Sequence, residues 1–181
     1  MSIVSTTRIS AAMEAEQFGA MIQQFVREMQ RIIKAHRGYL EDISGDGIFG
    51  YVGNFDSLGP AQDAISVVTL ACDMQSRLKV LNDTFRHRYD LPEPLAMRIG
   101  ISSGEALVGK TDGVRAVYTA NSESVNLGAK LEQAMKRLAN GGVLLSAETT
   151  ALVSGRFEVS EHTVRIDGHE VKAYSVNTTS D

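Results

Sequence analysis

The chain has 181 residues, 43% of them hydrophobic, which suffices for one well-buried domain over residues 1–181 and is too short for two comfortable ones. No apolar run is long enough to cross a bilayer, and the opening MSIVSTTRIS lacks the basic start and apolar core of a secretory signal, so no membrane segment and a cytoplasmic setting are expected. The formal net charge of −4 and the scattered basic residues disfavour nucleic acid as a partner, and the single cysteine, Cys72, excludes an internal disulfide framework and a thiolate metal cluster.

In chain order, Phe18, Met21, Ile22, Phe25, Met29, Ile32 and Ile33 recur at three- and four-residue steps, which predicts an amphipathic helix from Ala11 to His36 with Ser10 as its N-cap. After Gly38 two short runs, Tyr39–Ile43 and Ile48–Val52, flank the turn formers Ser44, Gly45, Asp46 and Gly47. This pattern predicts a β-hairpin with a carboxylate at its tip. Asn54–Pro60 reads as a loop, and Ala61 to about Arg88 as a second long helix with Ala64, Ile65, Val68, Ala71, Cys72, Leu78 and Leu81 inward. Cys72 then reads as a small core residue. Met97–Ser102 and Gly104–Val108 read as strands joined by a tight Ser103-Gly104 turn, followed by a loop to Tyr118. Glu123–Ala139 reads as a third helix, with Val125, Leu127, Leu131, Met135 and Leu138 inward, stopped by Asn140-Gly141-Gly142. Val143–Ser146 is a strand and Ala147–Val153 a short helix. Phe157–Ser160, Thr163–Ile166 and Val171–Val176 are strands, the last two joined by a turn at Asp167-Gly168. The fold class expected is α+β: a ferredoxin-like sandwich of a mixed, mostly antiparallel sheet with packed helices.

Four segments carry a resemblance. They are the Gly45-Asp46 hairpin, the run from Arg98 to Glu105 (RIGISSGE), the run from Tyr118 to Glu132 (YTANSESVNLGAKLE), and the closing strands with Gly168 and Tyr174. In this order they resemble the class III nucleotidyl cyclase catalytic domain, the family of adenylyl and guanylyl cyclases, over nearly the whole chain. Within the third segment Ser122 replaces the family's glycine. A diguanylate cyclase of the GGDEF type shares a Gly-Asp hairpin, but Gly47-Ile48-Phe49 lacks its adjacent acidic residue and the Asn126 segment has no counterpart there.

The resemblance implies conversion of a nucleoside triphosphate, GTP or ATP, into a 3′,5′-cyclic nucleotide and pyrophosphate. Charge gathers at both ends of that in-line displacement. The family neutralises it with two metal ions, Mg²⁺ or Mn²⁺ here if the chain is active, held by two carboxylates because such ions prefer hard oxygen ligands. Asp46 matches one of these ligands; the other falls at Ser2, where a hydroxyl replaces the family's aspartate. The family's first strand also begins several residues before this position, so the first strand is expected to be truncated or shortened. Asn126 matches the residue that orients the ribose, and Lys130 stands where the family has an arginine that stabilises the transition state. Lysine keeps the charge but loses the planar fork that grips phosphate oxygens in pairs. Arg98 matches a contact to the leaving pyrophosphate, whereas Asp167 replaces a lysine and would repel a triphosphate.

For the base, Asp42 stands where guanylyl cyclases have a glutamate, and Thr119 is the companion position. A carboxylate and a hydroxyl there favour guanine over adenine, the alternative for Asp42 being a solvated residue near the turn. Thr6, Thr7, Arg8 and Ser10, ahead of the predicted helix, offer backbone N–H groups to an anion. The losses at Ser2, Asp42, Lys130 and Asp167 point to a degenerate, impaired site. The alternatives are an active cyclase, as a homodimer or with a cyclase-domain partner in a heterodimer, and a non-catalytic nucleotide-binding or dimerisation module.

Overall fold

Alternation along one central strand sets up two faces. In β4 (Ala96–Ile101) the side chains of Met97, Ile99 and Ile101 are buried against one layer of helices, while Arg98 and Gly100 turn to the other side. The computed structural model describes residues 1–177 apart from 5, 90, 92, 112–116 and 122, and gives only the strand pairing of 107–111 and 117–121.

Seven strands form a mixed sheet in the order β2-β3-β1-β4-β7-β9-β8. They are β1 (Ser2–Val4), β2 (Tyr39–Ser44), β3 (Gly47–Tyr51), β4, β7 (Gly142–Ser146), β8 (Val159–Ile166) and β9 (His169–Val176). The β4–β7 pair is parallel and every other pair is antiparallel. Two further strands, β5 (Leu107–Thr111) and β6 (Val117–Asn121), pair only with each other. The helices α2 (Ala15–Ala35) and α3 (Pro60–Tyr89) cover one face, packing Phe25, Met29, Val68, Met74 and Phe85 onto Met97, Ile99 and Val143. A short helix, α1 (Thr6–Ala11), and another, α5 (Ala147–Leu152), flank this layer. On the opposite face α4 (Glu123–Ala134), continued by a 3₁₀ turn at Met135–Arg137, rests Leu131 and Met135 on Leu144, Val164, Ile166 and Ala173. The α+β sandwich is as expected.

Several expected boundaries move, each for a physical reason. The first helix does not start at Ala11, and Ser10 is not an N-cap: it lies inside α1 and its hydroxyl donates to the Thr7 carbonyl (3.0 Å). Ile9 and Met21 are both fully buried and twelve residues apart, which on one continuous helix would set them about 120° out of phase. The break between α1 and α2 lets both face the core. Gly104–Val108 does not fold back onto β4, because both edges of β4 already pair, with β1 and β7. The partner of β5 is instead β6, which begins where the loop expected up to Tyr118 ends and to which no element was assigned from the sequence. Strands expected at Phe157–Ser160 and Thr163–Ile166 are one strand, β8, since Ser160–Thr163 simply face outward or partner across to β9. Leu138 follows the 3₁₀ turn and is 40% exposed rather than inward.

Candidate active site

The hairpin forms as expected, its turn made possible by Gly45 in the left-handed region (φ 59°). Strand β1 is sandwiched between β3 and β4, with Ser2 opposite Gly47 on one side and opposite Arg98 on the other. The Ile3 amide donates to the Asp46 carbonyl (3.1 Å), which ties the hairpin tip to β1. Thr6 Oγ1 donates to Asp46 Oδ2 (2.8 Å). Thr6, Thr7, Arg8 and Ser10, whose backbone N–H groups were expected ahead of the first helix, lie within α1, and the Arg8 side chain pairs with Glu93 (2.9 Å).

Ser2 and Arg98 meet on a third residue whose role the sequence reading missed, Glu132 of α4. Ser2 Oγ donates to Glu132 Oε1 (2.5 Å), Arg98 Nε donates to the same oxygen (2.8 Å), and Arg98 Nη2 reaches Ser2 Oγ (3.4 Å). Both ends of the ion pair are largely buried, with side chains 11% and 14% exposed. Burial alone would push the Glu132 carboxyl up. The Ser2 hydroxyl and the Arg98 guanidinium outweigh it and hold the group below the ordinary glutamate range. A signal was present in the sequence: a lone arginine between the apolar Met97 and Ile99 needs a buried partner, and Glu132 follows the inward Leu131.

Asp42 is exposed on β2, where the register slips between Leu40 and Asp42. Such a bulge re-aims side chains along the strand. Asn126 and Lys130 lie one turn apart on the outer side of α4, Asn126 exposed. Lys130 Nζ is paired with Asp167 Oδ2 (2.5 Å), from the β8–β9 turn. Thr119 is on β6 opposite Gly109, and its side chain lies outside the described residues. Cys72 is half-buried among the apolar residues of α3, and burial, followed by Asp73, raises its thiol pKa. It is therefore held protonated, as a core residue rather than a nucleophile.

A groove of about 940 Å³ runs between the hairpin, β4, α3 and the inner side of α4. Ser2, Asp42, Gly100, Ser102, Ser124 and Glu132 are among its lining residues, but Asn126 and Lys130 are not. Its charged side chains are all carboxylates, Asp42, Asp63, Glu105, Glu132 and Glu148, with no lysine, arginine or histidine among the described residues. The donor set does not fit a two-ion centre. Asp46 has one oxygen committed to Thr6, the Ser2 hydroxyl donates to Glu132, and no group of three or more His, Cys, Asp or Glu suited to a metal occurs among the described residues.

The family model described as "Adenylate and Guanylate cyclase catalytic domain" matches residues 1–178. Among sequence relatives, "Adenylate cyclase 1" of Rhizobium meliloti (strain 1021) is 27% identical over 187 aligned positions, which cover 98% of this chain and 28% of that protein. The chain thus spans little more than a quarter of that relative's length. In structure it is similar to the adenylyl cyclase CyaB from P. aeruginosa, with a TM-score of 0.89 at 27% identity over 97% of this chain and 89% of that one. It is also similar to the guanylyl cyclase Cya2, with a TM-score of 0.83 at 25% identity over 97% and 88%.

Proposed function

Because the chain belongs to the adenylate and guanylate cyclase catalytic domain family, we propose that it is a class III nucleotidyl cyclase domain whose own site is impaired in making a cyclic nucleotide. The observation that carries this reading is Ser2. It stands where the family has a metal-binding aspartate, and its hydroxyl is spent on Glu132. Ring closure by attack of the ribose 3′-oxygen on the α-phosphorus concentrates negative charge on the phosphates. Against that charge the chain offers Arg98, held by Glu132, and Lys130, held by Asp167. A groove lined by carboxylates adds repulsion rather than attraction for a polyphosphate. In a bound nucleotide Asp42 would accept from guanine N1–H and its amino group, which favours GTP over ATP.

A second reading, turnover in a dimer, is supported by the placement of the two halves of the site. Asp46 and Ser2 lie at the hairpin, and the groove beside them touches α4 through Ser124, Gly128 and Glu132. Asn126 and Lys130 project from the other side of that helix, so a second cyclase domain, identical or not, is needed to bring both sets to one nucleotide.

The test is to incubate the purified protein with each nucleoside triphosphate and Mg²⁺ or Mn²⁺ and search for cyclic product by mass spectrometry. No product is expected from the chain alone. A cyclic nucleotide that forms and then vanishes on Asp46→Ala would overturn the impaired reading. If a cyclase-domain partner restores product, the heterodimer reading stands. If no triphosphate raises the melting temperature, the domain is a dimerisation module that does not bind nucleotide.

A further inference from the structure

The ion pair between Lys130 and Asp167 joins two elements that are far apart in sequence. Lys130 is the only basic residue of α4, whose acidic residues are Glu123 and Glu132. It lies one turn beyond the exposed Asn126, so these two side chains define the outer polar side of the helix. Asp167 comes from the tight turn between β8 and β9, where it has φ 50° and Gly168 has φ 85°. Two successive left-handed residues fix the turn, and aspartate is one of the few side-chain-bearing residues that tolerate that conformation. The carboxylate is therefore presented from a defined position. Its partner is a flexible lysine, 42% exposed, while Asp167 itself is 65% exposed. Such a pair contributes little to stability, since both partners stand in solvent.

We propose that Asp167 acts as an intramolecular competitor for Lys130, occupying the ammonium that would otherwise contact the phosphate chain of a nucleotide. Asp167 thereby sets the chain's affinity for polyphosphate. This rests on the reading of α4 as the nucleotide-facing helix given above. The chemistry follows from simple competition. A polyphosphate reaching Lys130 must displace one carboxylate and then sit beside it, so the aspartate lowers affinity both by occupying the cation and by repelling the anion. Neutralising it leaves Lys130 free to meet the phosphate chain. Asparagine is the informative replacement because it also tolerates positive φ, so the turn keeps its shape.

The test uses the full chain and inorganic tripolyphosphate, a probe with no base or ribose, measured by calorimetry at low ionic strength. Asp167→Asn is expected to tighten binding about threefold or more over the unsubstituted chain, with the gain shrinking as salt is added. In a Lys130→Met background the same substitution is expected to give no gain. Equal affinity of the Asp167→Asn chain and the unsubstituted chain, no detectable binding by either, or a gain that survives Lys130→Met would each overturn the competitor role. Melting curves of the same variants check that the turn is intact. The outcome is separable from the proposed function: cyclic product from the unsubstituted chain would overturn the impaired reading without changing this comparison.

Discussion

At Glu132 burial and pairing pull in opposite directions, and pairing wins. Its folded pKa is depressed, so the stability it contributes is fully present above the unfolded glutamate pKa and is lost as pH falls through the folded value. Glu132→Gln leaves Arg98 buried without its counter-charge, which is expected to cost about 3 kcal/mol near neutral pH. In denaturant titrations from pH 7 downward, the gap between the two proteins should narrow below about pH 4; a gap independent of pH would show that the pair is not the source. Ser2 is the companion test. Ser2→Asp places a second carboxylate against Glu132 with one guanidinium to share, so the melting temperature is expected to drop at neutral pH. It also creates a carboxylate beside the hairpin that carries Asp46. Millimolar Mg²⁺ is therefore expected to recover part of the lost melting temperature in Ser2→Asp and to leave the unsubstituted chain unmoved. Recovery of equal size in both would place the ion elsewhere.

Between elements, α4 comes close to β4 at Gly100 and Gly128, two glycines that are not equivalent. A Cβ on Gly100 would stand 2.1 Å from the Gly128 carbonyl oxygen and 2.4 Å from the Glu132 amide nitrogen, both backbone atoms. One on Gly128 would meet nothing nearer than 3.7 Å. Gly100→Ala must push the helix off the strand and is expected to destabilise by about 3 kcal/mol or more. Gly128→Ala is expected to be neutral or to stabilise by up to about 1 kcal/mol through helix propensity. Urea titrations of the two variants read this contrast directly, and equal losses would refute it. Helical periodicity and the Gly-Asp turn made α2, α3 and the β2–β3 hairpin legible, because local pattern decides them. The break at Ala12 was not legible, since it depends on the core each half faces, nor was β6, whose strand state depends on a partner strand. In the site, Ser2, Asp46 and Lys130 could be named from motif positions. Their partners, Glu132, Thr6 and Asp167, are separated from them by 130, 40 and 37 residues and are fixed only by tertiary packing.

Across the whole molecule the sheet divides two cores of unequal size. Among the described residues, twenty-two buried side chains make up the core under α2 and α3, against six under α4. Local opening has the lowest cost where the least apolar surface is lost, so α4 is expected to exchange its amide protons by a sub-global opening, while α3 exchanges only on global unfolding. Leu131 is fully buried in the small cluster, and its truncation to alanine should cost about 3 kcal/mol. Where that cost appears is the informative point. In native-state hydrogen exchange, Leu131→Ala is expected to lower protection in both helices, because it raises the native state relative to the α4-open and the unfolded states alike, whereas Val68→Ala, in the larger core, should lower protection across Val68–Leu81 of α3 and leave α4 nearly unmoved. Equal loss in both helices for both variants would mean the sheet and its two layers open as one unit. Because α4 carries Asn126 and Lys130, a separately opening α4 would make the side proposed to face a nucleotide the part whose order a bound ligand or partner can most readily change.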